Sequence, residues 1–125
     1  MKKILLVDDS RFVRITTKRL LIEMGYDESI IYEASTGEEA ISLHDEIRPD
    51  FILLDLLMPG IGGEEALKAI RAKDQDCFIS ILSSNFQKPV QDRMLKSGAN
   101  MFVEKTITID KLKEVLDRYE STRTI

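Results

Sequence analysis

Apolar runs and polar breaks alternate along this chain in blocks whose lengths and periods identify its elements. Ile4 to Val7 is an unbroken apolar stretch that stops at Asp8-Asp9-Ser10. A short run of this kind, without a polar face, suits a strand covered on both sides. The pattern recurs at Phe51 to Leu54, which ends on Asp55, at Cys77 to Leu82, and at Ala99 to Glu104. A shorter strand is expected over Ser29 to Glu33, around Ile30-Ile31-Tyr32. Between these runs the apolar positions switch to helical spacing. Val13, Thr17, Leu20, Leu21 and Met24 form one stripe in a helix from Arg11, with Ser10 as N-cap and Gly25 as stop. Thr36, with Glu39 three residues on, opens a second helix as a capping box, and that helix ends before Pro49. Glu64 to Lys73 is a third helix. Pro89 falls in the first turn of a fourth, which runs to Gly98. Leu112, Val115, Leu116 and Tyr119 line a last helix from Ile109 to Tyr119, and Arg118 to Ile125 is expected to fray as a polar tail.

Five strands strictly alternating with five helices imply a single α/β domain over residues 1–125, built on a doubly wound parallel sheet. Each right-handed crossover needs a helix to return the chain. Periodicity alone leaves the strand order open.

Composition narrows the function classes. A chain of 125 residues, 43% hydrophobic and 32% charged, is of ordinary globular make-up and large enough for a real core. A net charge of −4 argues against nucleic acid as a direct partner, because phosphate binding calls for clustered Lys and Arg. No apolar run reaches the length of a membrane span and no signal-peptide core is present, so a cytoplasmic address is the default expectation. Cys77 is the single cysteine, which rules out an internal disulfide. His44 lies near an apolar helix stripe with no acid beside it in sequence-based expectation, and reads as a packed boundary residue.

The chemistry gathers at the strand ends. Asp8-Asp9 follow the first strand, Asp55 ends the third, Ser83 follows the fourth and Lys105 follows the fifth. In a doubly wound sheet these ends share one edge, and if the first strand neighbours the third, three carboxylates meet in one crevice. Carboxylates so close cannot all ionise without a cation. Mg²⁺ suits such a site, since it accepts one or two carboxylates together with waters and phosphate oxygens. A carboxylate nucleophile ringed by metal, ammonium and hydroxyl is a device for receiving a phosphoryl group.

With those residues in place, the chain resembles a response-regulator receiver domain of the single-domain chemotaxis type, the module phosphorylated on aspartate by a histidine kinase. The resemblance rests on Val7-Asp8-Asp9, Asp55-Leu56-Leu57-Met58-Pro59, Ser83-Ser84 and Lys105, and spans essentially the whole chain. It implies a flavodoxin-like sheet of order 2-1-3-4-5 and an interaction module that is not a dedicated enzyme. It also implies Asp55 as phosphoacceptor, with Asp9, Asp55 and the Leu57 carbonyl on Mg²⁺ and Asp8 acting through metal-bound water. Lys105 and Ser83 would contact the phosphoryl oxygens, and Phe102 would move inward as Ser83 turns toward them. The readout surface would be the fourth helix, the fifth strand and the last helix. Implied partners are the kinase and a downstream protein: a flagellar switch, a phosphatase or a relay partner. The short tail favours a free-standing protein over an excised receiver.

Two positions depart from the family pattern. Thr106 follows Lys105 where proline, often in a cis bond, is usual; a non-proline cis bond is costly, so a trans loop of different shape is expected. Ser84 replaces the usual small residue and adds bulk near Asp55. Competing classes fare worse. A phosphatase of the haloacid dehalogenase type needs a second acid two residues after its nucleophile, and Leu57 stands there. A pseudo-receiver that binds without phosphorylation would have no need of the intact acidic pair, Asp55 and Lys105. The Gly60–Gly63 run lacks the Lys-Ser/Thr ending of a phosphate loop and reads as a turn.

Overall fold

The computed structural model describes residues 3–123. Its elements alternate in the order β1 (Ile4–Val7), α1 (Arg11–Glu23), β2 (Ile31–Ala34), α2 (Gly37–Ile47), β3 (Phe51–Asp55), α3 (Gly62–Lys73), β4 (Phe78–Ser83), α4 (Lys88–Lys96), β5 (Met101–Glu104) and α5 (Ile109–Arg123). All strand pairs are parallel and the sheet order is β2-β1-β3-β4-β5. This is the doubly wound flavodoxin-like arrangement. The strand order reverses at β1, with β2 added on one side of it and β3 on the other, which opens a crevice at the carboxyl ends of β1 and β3.

Side-chain alternation divides the core into two layers. Leu5, Val7, Ile52, Leu54, Ile79 and Ile81 face α2, α3 and α4 through Ala40, Ala66, Leu67, Ile70, Val90 and Met94. Ile4, Leu6, Phe51, Leu53 and Phe78 face α1 and α5 through Leu21, Leu112, Val115, Leu116 and Tyr119. The three central strands are buried along their whole length, as continuous apolar runs require.

Four expectations are corrected. β2 begins at Ile31, because Asp27 accepts from Ser29 N at 2.8 Å and winds Glu28–Ile30 into a 3₁₀ turn. The last helix does not fray at Arg118 but continues to Arg123. Tyr119, 4% exposed, is anchored edge-on to the stacked rings of Phe51 and Phe78, with centroids 5.9 and 5.7 Å away. Arg123 lies over the Tyr119 ring at 4.7 Å and donates to the carbonyls of Asp50 and Asp76, which ties down the final turn. Residues 124 and 125 of the expected tail lie outside the described residues.

His44 is fully buried, and it does have an acid beside it: Nε2 lies 2.8 Å from Asp74 Oδ2, across the α2–α3 seam. Burial alone would raise the Asp74 carboxyl, but His44 and the N–H groups of Asp76 and Cys77 hold it below the usual range. The fourth correction concerns the Lys105–Thr106 peptide, which is cis. The carbonyls on either side of it, Glu104 O and Thr106 O, both accept from Lys111 Nζ, at 2.9 and 3.1 Å.

Candidate functional site

The sheet edge collects the polar strand ends into one crevice. Asp8 follows β1 and Asp55 ends β3; both continue the alternation of the layer under α1 and α5, so both lie on the same face of the sheet at its carboxyl edge. They are 4% and 3% exposed, whereas Asp9 is open to solvent. One ligand atom from each of Asp8, Asp9 and Asp55 can be chosen so that all lie within 4.8 Å of one another.

Lys105 reaches in from β5 and lies 3.0 Å from Asp8 Oδ2 and 3.3 Å from Asp55 Oδ1. Burial pulls its ammonium down, but the two carboxylates outweigh this and its proton is held above the usual lysine range. Asp55 is pushed up to about 6, first by burial and then by the neighbouring charge of Asp8, against the pull of Lys105 and the Leu57 N–H. A carboxyl raised although a cation stands beside it shows that burial, reinforced by the charge of Asp8, outweighs the pull of Lys105.

The main chain around these groups is tightly set. Asp8 N donates to Ala34 O at 3.1 Å, and Asp8 Oδ1 accepts from Ser10 N at 2.9 Å. Asp55 Oδ1 accepts from Leu57 N at 3.4 Å, and Gly63 N closes the loop onto Leu56 O at 3.0 Å. Gly63 has to be glycine here: a Cβ would collide with Asp55 O and come within 2.8 Å of Leu56 Cα. Ser83 is 1% exposed, its Oγ accepting from Asn85 N at 3.1 Å and its carbonyl from Lys105 N at 2.9 Å. Ser84, by contrast, is exposed. Phe102 is half-buried on β5, with its ring 5.7 Å from that of Phe86. Leu57, 68% exposed, stands at the rim, as does Phe12 on α1 at 78%.

The donor set fits a hard divalent cation such as Mg²⁺. Its atoms are carboxylate oxygens, and among the described residues the buried Asp8 Oδ2 is met by the Lys105 ammonium at 3.0 Å and by no hydrogen bond of ordinary geometry. Asp8, Asp9, Asp55, Ser83, Lys105 and Leu57 therefore share one edge, while Phe102 lies further along β5. Two contributors have a role at the site that the sequence does not show: Arg14, which follows Asp8-Asp9 in the chemotaxis-type resemblance, and Gly63, which reads only as part of a turn. Arg14 donates to the Asp8 carbonyl at 2.7 Å, and Gly63 admits α3 against the end of β3.

This sheet order, with a buried carboxylate at the switch point and a lysine across from it, defines a class that comparison makes explicit. Residues 4–117 match the response regulator receiver domain, and the chain belongs to that family. It is 34% identical to a chemotaxis protein CheY of Listeria monocytogenes over 118 residues, covering 94% of this chain and 98% of that protein. Among solved structures, CheY4 of Vibrio cholerae superposes with a TM-score of 0.85 at 29% identity, covering 95% of this chain and 98% of the other. A CheX–CheY–BeF3–Mg²⁺ complex from Borrelia burgdorferi gives 0.86 at 26% identity, covering 98% and 90%.

Proposed function

We propose that this receiver accepts a phosphoryl group from a histidine kinase on Asp55 and signals by changing which protein it binds, in a cytoplasmic chemotaxis-type pathway. The observation that carries the reading is the grouping of Asp8, Asp9 and Asp55 within 4.8 Å, with Lys105 bridging two of them. An Asp55 oxygen attacks the phosphorus of a phosphohistidine, the P–N bond breaks, and an acyl phosphate remains on the receiver. Asp8, Asp9, Asp55 and the Leu57 carbonyl would hold Mg²⁺, which when bound supplies charge neutralisation for the phosphoryl oxygens. Lys105 exchanges its contact with Asp55 for one with the incoming oxygens, as electrostatic stabilisation of spread charge requires. The CheY relative solved with CheX, BeF3 and Mg²⁺ supports this assignment by likeness.

Readout follows from Ser83. Its Oγ is free to leave Asn85 N and bond a phosphoryl oxygen, and β4 pairs with β5 through Ile81–Phe102 and Ser83–Glu104. A shift at Ser83 therefore reaches Phe102 and the groove lined by Phe86, Met101, Phe102 and Lys111. That groove would receive the downstream target, a flagellar switch component, a phosphatase or a relay partner.

Intact mass after incubation with a small phosphodonor and Mg²⁺ tests the reading. One phosphoryl adduct is expected on the wild type, absent from Asp55→Asn and absent under chelation. A protein that takes up no phosphoryl group under any condition would instead be a binding module that works without phosphorylation.

A further inference from the structure

Arg14 is an unusual presence on α1. Its side chain is only 15% exposed, and its guanidinium spans two elements. Nη1 donates to the Asp8 carbonyl at 2.7 Å, and Nε donates to Glu33 Oε1 on β2 at 3.0 Å. Glu33 is itself held by a second cation of the same helix, with Lys18 Nζ 3.7 Å from its other oxygen.

The Asp8 carbonyl belongs to the peptide plane that joins Asp8 to Asp9. That plane is rigid, so fixing its C=O fixes Asp9 N and Cα, and with Ser10 N held on Asp8 Oδ1 the main chain is restrained on both sides of Asp9, which narrows the directions its side chain can take. The other side of Asp8 is already fixed, because its N–H donates to Ala34 O and its Oδ1 accepts from Ser10 N. Arg14 supplies the remaining restraint. Asp9 is exposed, and no hydrogen bond or ion pair of its own carboxylate orients it among the described residues.

We infer that Arg14, braced by Glu33, is a positioning residue that sets the geometry of the Asp8–Asp9 pair for Mg²⁺. The inference rests on the metal reading above and assigns Arg14 no contact with metal or phosphoryl group. A fork donating to both a carbonyl and a carboxylate is a property of arginine; lysine keeps the charge but cannot span both acceptors in fixed geometry. Groups that orient metal ligands commonly govern affinity by one to two orders of magnitude.

The test is a Mg²⁺ titration by calorimetry, paired with thermal melts in chelator and in excess Mg²⁺. The proteins compared are wild type, Arg14→Lys, Arg14→Gln, Glu33→Gln and the Arg14→Gln/Glu33→Gln double variant. Both Arg14 variants are expected to bind Mg²⁺ about tenfold more weakly and to gain less melting temperature from it. Glu33→Gln should move the same way by a smaller factor. The double variant should match Arg14→Gln alone, because the two residues act through one restraint. A merely structural role would lower the melt in chelator and leave the Mg²⁺ affinity of the folded protein unchanged. That result, or full affinity in Arg14→Lys, overturns the inference. If Arg14→Gln does not fold, Arg14→Lys and Glu33→Gln decide by the same criteria. A wild type that binds no Mg²⁺ overturns the metal reading itself, and the inference falls with it.

Discussion

Asp55→Asn should make the metal-free protein more stable, while removing the proposed phosphoacceptor. In the folded protein the Asp55 carboxyl is displaced from the usual 3.8 to about 6, by burial and by Asp8, net of the help from Lys105. At about 1.4 kcal/mol per pH unit, holding Asp55 ionised near neutral pH costs about 3 kcal/mol of folding free energy. Asparagine keeps the shape and drops the charge, so most of that cost should disappear. In a domain of this size about 1 kcal/mol moves the melting temperature by about 4 °C, which makes the expected gain about 10 °C. The pH dependence fixes the sign. Because the folded value lies above the unfolded one, the penalty is absent below 3.8, where both states are protonated, and complete above about 6. The gap between variant and wild type should therefore open as pH rises through that window. Urea melts in chelator across the window measure it, and Mg²⁺ should then narrow the gap by stabilising the wild type alone. A gap that is absent, or flat with pH, would refute the claim that burial and the charge of Asp8 together outweigh Lys105 at Asp55.

Removing Lys105 as Lys105→Met should raise the Asp55 carboxyl still further and slow phosphoryl uptake about a hundredfold. Carbonyl-carbon NMR of Asp55 and phosphodonor kinetics report the two effects, and an unmoved titration would show that the contact at 3.3 Å carries little energy. Gly63→Ala should cost about 2–4 kcal/mol, because its Cβ meets the backbone of Asp55 and Leu56. Gly25→Ala has open space but a φ of +100°, and should lose only about 1 kcal/mol; equal losses in urea melts would discredit the steric argument. His44→Ala should destabilise by about 2–4 kcal/mol, since it opens a cavity and strips Asp74 of its partner at 2.8 Å. A loss within about 0.5 kcal/mol, typical of surface sites, would mean that the dyad is energetically idle.

The strands were legible because a buried strand is a local signal. Phe51–Leu54 can only be covered on both faces, and a carboxylate at its end contrasts with everything before it. Where the pattern is weaker, boundaries slip. Ser29 and Ile30 look like strand until Asp27 caps a turn there, a competition between side chain and ladder that periodicity does not weigh. The end of α5 was misjudged for a different reason. Polar residues after Tyr119 suggest a loose tail, yet Tyr119 packs edge-on against the stacked rings of Phe51 and Phe78, and Arg123 grips two carbonyls in the loops ahead of β3 and β4. Both partners of that grip lie far away in the chain, so no window of sequence contains it.

The same distinction separates the candidate reacting groups from those that hold them. Asp8, Asp55 and Lys105 stand at strand ends, where polarity breaks an apolar run and announces itself. Arg14 occupies a helix already rich in Arg and Lys, and one more cation on an amphipathic helix looks like part of its solvated face. Its meaning depends on Glu33, which is 19 residues away on a strand that comes to lie beside β1, with Glu33 opposite Leu6, only when the sheet pairs. His44 is hidden in the same way, since Asp74 lies 30 residues on and reaches it only once α2 and α3 pack. A residue that acts on a ligand must differ from its apolar surroundings, and that contrast is written locally. A residue that acts on another residue's backbone needs no such contrast, so the supporting shell of this site becomes visible only when the sheet is assembled.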